Sequence, residues 1–326
     1  MIQPNEMKNG FAMHLHNEVV STNTKVWEIL AASKNGDLAS IKKMADDCPE
    51  LLYAQYNYTP AIHFAVREGH SELVTYLLGK GAHDPSYKMY PFQDSLETIA
   101  EDRGYLEIAK QLKDYAADSS IKKYTGDNGG IDFNYIPSQQ EFQYAVNHDD
   151  IAAAEKILKQ HPEYALDDTY SWGEGILMMP AQHKNYQLLE LLMQYGAKVP
   201  VILKWTQAYY FKFYEPAAFM MEKGMYPNTM SWQQVTILHD MAQKGFLDKA
   251  DLLIKYGAEL DPIDDEYQST PLGMAARWGH IEMVDLLLSH GANPGRSGAA
   301  WSTPLAWAKK KGYTEIVDRL LKAGAQ

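Results

Sequence analysis

Four glycines, each following a short apolar helical stretch, recur at a nearly constant interval in the C-terminal part of this 326-residue chain. They are Gly224, Gly257, Gly291 and Gly324, and the steps between them are 33, 34 and 33 residues. A period in this range is typical of a solenoid, in which similar helical units stack and each contacts only its neighbours. The interval therefore predicts a stack of helical repeats.

Composition excludes several classes of function. The chain has 42 acidic and 30 basic residues, a net charge of -12, which disfavours binding to nucleic acid or to anionic lipid. Its single cysteine, Cys48, allows neither an internal disulfide nor a cysteine-based zinc site, so a reducing compartment, the cytoplasm, is expected. Because no apolar run reaches the length of a signal peptide or a membrane span, neither is expected. No cofactor is predicted.

Three repeats share a recognisable start, and glycines mark where many of the helices end. Thr-Pro, at Thr59-Pro60, Thr270-Pro271 and Thr303-Pro304, is typical of a helix start, because threonine caps the helix and proline suits its first position. A second helix with one apolar face follows the first, and Gly-Ala ends it. Six first helices are predicted to end at a glycine in left-handed backbone, at Gly36, Gly69, Gly104, Gly245, Gly279 and Gly312.

The sequence resembles a known repeat family. Thr59 to Ala65 reads Thr-Pro-Ala-Ile-His-Phe-Ala, and Thr270 to Ala276 reads Thr-Pro-Leu-Gly-Met-Ala-Ala. Both are similar to the Thr-Pro-Leu-His signature, with alanine downstream, of the ankyrin repeat. The resemblance implies an all-α, ankyrin-like solenoid of about nine stacked helix-turn-helix repeats with short hairpin turns. Units one to nine are placed at about 25 to 56, 57 to 88, 89 to 117, 138 to 169, 170 to 201, 202 to 229, 230 to 263, 264 to 296 and 297 to 326.

Residues 118 to 137 interrupt the period with the turn-forming cluster Thr-Gly-Asp-Asn-Gly-Gly. We therefore expect an N-terminal segment (1 to 24), a first repeat block (25 to 117), an inserted loop (118 to 137) and a second block (138 to 326) with degenerate central repeats. Asp127 and Asn128 superficially resemble part of a calcium loop, but the alternating oxygen ligands that end in a glutamate are missing. No metal site is predicted.

The resemblance also implies a binding surface. In ankyrin-like stacks, the concave side is lined by the turn before Thr-Pro and by the two residues before the first helix's glycine. Aromatic residues and arginine, which dominate the energetics of many interfaces, are frequent there in units five to nine. The alternative is that the rings pack within the stack. The predicted partner-binding residues are Tyr170, Trp172, Trp205, Phe213, Tyr214, Trp232, Tyr267, Arg277, Trp278 and Trp301.

The positions before the glycines carry more basic than acidic residues. This excess predicts a partner segment with acidic residues, although solvated helix ends are an equally simple explanation. The two acidic residues are Glu68 and Asp102, and the seven basic ones are Lys34, Arg67, Arg103, Lys244, Arg277, Lys310 and Lys311.

These features predict a monomeric, non-enzymatic protein interaction module that binds a partner protein or peptide along its concave face, as an adaptor or as an inhibitor. The alternative is a small-ligand or carbohydrate site in an aromatic pocket among Trp205, Phe213 and Trp232, near units five to seven. An enzyme would need His239 or His183 to face such a pocket beside a carboxylate, whereas His239 is expected to brace its turn.

Overall fold

The computed structural model describes residues 1–90, 92–124, 130–204 and 209–326. Contacts divide the chain into two units, one formed by Asn5–Asn134 and the other by Met1–Pro4 together with Tyr135–Gln326. Both units consist mostly of paired helices joined by short turns.

The unit Asn5–Asn134 holds three such helix pairs. Its first helices, α1, α3 and α5, contact one another in chain order, and the second helices α4 and α6 also pack together. Its elements are a 3₁₀ turn (Asn5–Met7), β1 (Ala12–His14), a 3₁₀ turn (His16–Glu18), β2 (Val20–Thr22), α1 (Asn23–Asn35), α2 (Leu38–Asp47), a 3₁₀ turn (Pro49–Tyr53), β3 (Gln55–Tyr56), β4 (Thr59–Pro60), α3 (Ala61–Glu68), α4 (Ser71–Gly79), α5 (Leu96–Asp102), α6 (Leu106–Ala117) and β5 (Gly130–Ile131).

A small antiparallel sheet in the order β2, β1, β5 joins the two ends of this unit. Met13, which is fully buried, pairs with Ser21 on one side and with Ile131 on the other. The expectation of an all-α chain is therefore corrected to a mostly helical one. Strands of two or three residues are too short to show the alternating pattern by which strands are recognised in a sequence.

The second unit contains the remaining helices. First helices α13, α15 and α17 contact in chain order, as do second helices α12, α14, α16 and α18. Its elements are α7 (Pro137–Asn147), α8 (Ile151–Leu158), a 3₁₀ turn (Pro162–Leu166), the single turn α9 (Tyr170–Gly173), α10 (Met178–His183), α11 (Tyr186–Gln194), β6 (Ile202–Leu203), α12 (Tyr214–Glu222), β7 (Met230–Ser231), α13 (Ile237–Lys244), α14 (Leu247–Lys255), α15 (Pro271–Trp278), α16 (Ile281–Ser289), a 3₁₀ turn (Ala300–Ser302), α17 (Pro304–Lys311) and α18 (Thr314–Lys322).

The core lies between the first and second helices of each pair and between neighbouring pairs. In unit eight, for example, Leu272 and Ala275 of α15 are fully buried, as are Val284 and Leu287 of α16. These positions recur every three or four residues, so each helix turns one apolar face inward.

The threonine caps are confirmed where Thr-Pro starts a helix. The hydroxyl oxygens of Thr270 and Thr303 accept hydrogen bonds from the amides three residues later, at 3.2 Å and 3.0 Å. The Thr-Pro pair of the second repeat is different, because Thr59 lies in β4 and its hydroxyl donates a hydrogen bond to the Asn57 carbonyl oxygen at 3.3 Å. There the helix begins only after Thr-Pro.

The left-handed ends of the first helices are also confirmed. All six predicted glycines have φ values between 68° and 82°, a region that glycine enters without steric cost. Two repeats that lack a glycine at this position have Asp149 and Lys184 instead, with φ values of 59° and 57°. The turn geometry is thus kept even where the sequence signal is absent.

Unit six departs from the predicted phase. The sequence predicts that Phe213 and Tyr214 end a first helix, but Phe213 is the cap before α12 and Tyr214 is the first residue of that helix. Phe246 holds the same place before α14, 33 residues later, so α12 is a second helix. Pro216 lies in its first turn, where backbone N–H groups have no helical partner and proline is tolerated.

Candidate functional site

Predicted residues of units eight and nine meet around one arginine. The guanidinium carbon of Arg277 lies 4.6 Å from the ring centroid of Tyr267, 4.5 Å from that of Trp278 and 4.6 Å from that of Trp307. Trp301 packs edge-on against Trp307, with their centroids 5.6 Å apart. These five residues form what we call the Arg277 cluster, in which cation–π attraction holds the rings in place.

Members of the Arg277 cluster differ in their exposure. Tyr267 is fully buried and Arg277 is 4% exposed, whereas Trp278 and Trp301 are partly exposed. The prediction that Tyr267 and Arg277 contact a partner is therefore corrected, because neighbouring side chains cover both. Only the two tryptophans offer ring surface at this place.

Sequence reasoning missed Trp307. Its ring is fully buried, and its Nε1 donates a hydrogen bond to Ser269 Oγ at 2.8 Å. Trp307 lies three residues after Pro304, the first residue of α17. The buried Met274 lies three residues after Pro271, the first residue of α15. Alignment of these two repeats is the signal that places it in the core.

Tyr170 and Trp172 share the turn α9 but not its environment. Tyr170 is fully buried, with its ring centroid 5.1 Å from that of Tyr135 and 5.6 Å from that of Phe142. Burial also raises the pKa of its hydroxyl. Its prediction as a contact residue is corrected, because its ring is used in packing. Trp172, by contrast, is 65% exposed.

Phe213 and Tyr214 lie at the start of α12, next to two lysines. The ammonium of Lys184 is 4.4 Å from the centroid of the Phe213 ring, and that of Lys212 is 5.2 Å away. Tyr214 is 42% exposed. The start of α12 therefore combines an accessible aromatic surface with positive charge. The sequence predicts these two residues at the end of a first helix, whereas they lie at the start of a second helix.

Trp232 does not line the pocket predicted near units five to seven. Trp232 is only 1% exposed, and its carbonyl oxygen accepts a hydrogen bond from the amide of Ile2 at 2.7 Å. Its predicted role in contacting a ligand or partner is corrected, because the ring is packed inside the unit. Trp205 lies outside the residues that the structure describes.

Burial reduces the basic excess at the predicted inner positions. Arg67 is 2% exposed and lies over the Phe64 ring at 4.9 Å, so neither it nor Arg277 is presented to a partner. The other five predicted basic side chains keep some exposure. Lys244 pairs with Asp240 Oδ2 at 2.9 Å, and burial raises the pKa of that carboxyl to about 6 although Lys244 opposes the shift.

His239 braces its turn, as predicted. Its Nδ1 accepts a hydrogen bond from the Thr236 amide at 3.1 Å, and its Nε2 donates to the Ser269 carbonyl oxygen, also at 3.1 Å. Burial lowers the pKa of the imidazole to about 4, so it is neutral at physiological pH. A fully buried ring whose two nitrogens are both bonded has no face for a substrate.

His183, the other histidine considered for catalysis, lies at the surface. His183 Nδ1 is 2.8 Å from Asp149 Oδ2, and Asp149 also accepts a hydrogen bond from Asn185 Nδ2 at 2.9 Å.

Among the described residues, no three or more His, Cys, Asp or Glu side chains are grouped so as to hold a metal ion. None of the described helices is long and apolar enough to span a bilayer.

Comparison with known proteins places the repeats in one family. A profile described as ankyrin repeats (3 copies) matches residues 207–298 and 238–326, and one described as ankyrin repeat matches 57–89. The ankyrin repeat protein nuc-2 of Neurospora crassa is 28% identical over 271 residues, which are 81% of this chain and 21% of that protein.

Two similar proteins have an enzyme's name. The human palmitoyltransferase ZDHHC13 is 37% identical over 93 residues, or 28% of this chain and 14% of that protein. The rat palmitoyltransferase ZDHHC17 is 33% identical over 122 residues, or 35% and 19% of the two chains. This chain thus spans about a fifth or less of the length of these relatives. The profile matches and the observed helix pairs agree, and the chain belongs to the ankyrin repeat family.

Proposed function

We propose that this protein is a monomeric, non-enzymatic, cytoplasmic interaction module. In this proposal about nine repeats, in blocks 25–117 and 138–326, form a solenoid, and a partner protein or peptide binds along the concave face of units five to nine. Ankyrin repeats generally mediate contacts between proteins, which supports the general role. The relatives' palmitoyltransferase names cover far longer chains and are not carried over.

The observation that carries the proposal is the construction of the Arg277 cluster. Trp278 and Trp301 keep exposed ring surface while the buried Arg277 and Trp307 fix them from behind. A ring that is already immobilised loses little entropy when a partner covers it, so its buried area contributes more fully to affinity. Trp172 and Tyr214, both more than 40% exposed, are the further contacts that we propose in units five and six.

Charge supports a partner segment that carries acidic residues. Lys310 and Lys311 at the end of α17 and Lys244 at the end of α13 are exposed, on a chain whose net charge is -12. An acidic segment would be attracted to these places and repelled by the rest of the surface, which fixes its orientation. Nucleic acid is disfavoured by the same net charge.

The test is affinity capture from native lysate with the immobilised full-length chain, read by quantitative mass spectrometry. We expect a protein that the wild type retains and that Trp278→Ala binds at least fivefold more weakly, which is about 1 kcal/mol. Tyr256→Ala, which removes a ring 38% exposed at the end of α14, should retain it fully. Circular dichroism checks that each variant is folded.

Two outcomes would contradict the proposal. Equal retention by the wild type and a folded Trp278→Ala variant would move the site away from the Arg277 cluster. If the wild type retains no protein from the lysate, the interaction role itself fails.

A further inference from the structure

A second aromatic site lies in the unit Asn5–Asn134, where the sequence predicts none. A cavity of about 390 Å³ opens there, within the range of known ligand clefts. Five tyrosine rings line it, from Tyr53, Tyr58, Tyr87, Tyr90 and Tyr124. It belongs to the first repeat block and shares no residue with the Arg277 cluster, so it stands apart from the proposed function.

The rings on the cavity wall are held in fixed positions. Tyr53 donates its hydroxyl hydrogen to the Lys80 carbonyl oxygen at 3.0 Å, and its ring centroid lies 5.1 Å from that of Tyr124. The Tyr87 hydroxyl oxygen is 3.3 Å from His63 Nδ1. Two of the five tyrosines are thus anchored through their hydroxyl groups, and tyrosine is the most frequent residue in the cavity lining. Such a wall binds by stacking and needs little reordering.

Tyr58 is presented to the cavity by a tight hairpin. The two-residue loop Asn57-Tyr58 joins β3 to β4, and both residues have positive φ, 50° and 58°. This is the conformation of a type I′ turn, for which Asn-Gly is the preferred sequence. Tyrosine therefore occupies a backbone position that disfavours it, with its ring 48% exposed.

The wall carries no net charge. Asp84 and Lys88 supply one charge of each sign. His83 adds none at neutral pH, because burial lowers the pKa of its imidazole to about 4. One oxygen of the Asp84 carboxylate, Oδ1, accepts hydrogen bonds from the Ser86 amide at 2.8 Å and from the Ser86 hydroxyl at 2.7 Å. The cavity thus suits an uncharged ligand.

We propose that this cavity binds a proline-rich peptide segment in the polyproline II conformation. Proline rings are compact, apolar and uncharged, and grooves lined by aromatic rings are the usual partners of such segments. A proline-rich backbone offers carbonyl acceptors and few N–H donors, which matches the donors of the exposed Lys88 and Gln93 side chains. An oligosaccharide fits less well, because its many hydroxyl donors need acceptors, whereas Asp84 is the one carboxylate in the lining and one of its oxygens already accepts from Ser86.

The experiment is titration calorimetry of the whole 326-residue chain with decaproline. A decapeptide of alternating glycine and serine and the neutral sugar cellohexaose serve as competing probes. We expect saturable binding of decaproline with a Kd below about 1 mM and no measurable binding of the other two. Because the wall is neutral, raising NaCl from about 50 to 500 mM should change the Kd by less than about twofold.

Tyr58→Gly is the decisive variant, since it removes the ring and creates the preferred Asn-Gly turn, so the fold should be as stable as before or more so. We expect it to weaken decaproline binding at least tenfold. Tyr226→Ala, which removes a ring 46% exposed in the other unit, is the matched control and should bind normally. Absent binding, unchanged binding by Tyr58→Gly, or preference for cellohexaose or the glycine–serine peptide would each overturn the proposal.

Discussion

The imidazole of His280 rests on Gly245 of the preceding repeat. A Cβ atom at Gly245 would lie 2.8 Å from His280 Nδ1, and the other nitrogen, Nε2, donates a hydrogen bond to the Gln243 carbonyl oxygen at 2.8 Å. His70 and Gly36 repeat this arrangement in the first unit of the structure, with a Cβ distance of 2.6 Å. Gly36 and Gly245 are thus required both by their own φ values and by a histidine ring from the next repeat.

Replacing Gly245 with alanine should separate these two requirements. We expect Gly245→Ala to lower the free energy of unfolding by about 2 to 3 kcal/mol, because a left-handed φ and a clash with His280 add together. Gly312→Ala is the control, since Gly312 has a similar φ of 77° and nothing within 4 Å of its Cβ position. It should cost about 1 kcal/mol. Urea unfolding measures both, and equal losses would show that the ring contact contributes nothing.

Protonation of His239 should destabilise the fold. The pKa of His239 in the folded state is about 4, below the unfolded value of about 6.5, so its contribution to stability is complete above pH 6.5 and is lost as the pH falls toward 4. His239→Gln keeps a side chain that can return the hydrogen bond to Thr236, because glutamine suits this position of a capping box, but it does not titrate. Between pH 7 and pH 5, we expect the wild type to lose about 2 kcal/mol more stability than this variant.

Urea unfolding of both proteins at several pH values provides the measurement. His83, whose pKa is also lowered to about 4, titrates in both proteins and cancels in the difference. Parallel stability curves for the wild type and His239→Gln would mean that protonation of His239 is not coupled to unfolding.

Lysine should not replace Arg277. Only a planar guanidinium can lie against the faces of Tyr267, Trp278 and Trp307 together, so we expect Arg277→Lys to lower stability by about 1 to 3 kcal/mol. Loosened tryptophans should also weaken the near-ultraviolet circular dichroism signal. The exposed Lys322→Arg, as a control, should change neither quantity. An unaltered spectrum in Arg277→Lys would contradict the role of Arg277 in holding the rings.

Two predicted tryptophans should behave in opposite ways. Trp232→Ala removes a buried ring and should cost about 3 to 5 kcal/mol. Trp172→Ala removes a ring 65% exposed and should change stability by less than about 0.5 kcal/mol. Thermal unfolding of both variants decides the matter. A large loss of stability in Trp172→Ala would show that this side chain stabilises the turn α9 and is not only an exposed contact surface.

The repeat architecture was readable in the sequence because its signals are local. Thr270 caps its helix and Gly279 ends it within eight residues of Pro271, so a glycine or threonine at the right offset is sufficient evidence. Unit six lacks such a glycine, and its phase was misread by three residues. The cap at Phe213 and the early Pro216 become clear only when α12 is compared with α14.

The candidate site was less readable, because a sequence shows which rings are present but not which way they point. Tyr267 and Trp278 are both aromatic residues close to one Thr-Pro start, yet one is fully buried and the other is partly exposed. Their difference depends on Trp307, which lies in the next repeat and covers Tyr267. The tyrosine-lined cavity was missed for the same reason, since its rings come from several separate turns.

The pairing of β5 with β1 has a consequence for the order of folding. Met13 and Ile131 are 118 residues apart in sequence, whereas neighbouring repeats bring together residues about 33 apart. Closing the longer loop costs about 1 kcal/mol more in conformational entropy than closing a loop of about 33 residues. This cost falls only after the intervening helix pairs have formed and brought the two strands closer together. During refolding the repeats should therefore form first. The amide of Asp132, which donates to the Ala12 carbonyl oxygen at 3.0 Å across the β5–β1 pair, should gain protection from hydrogen exchange last.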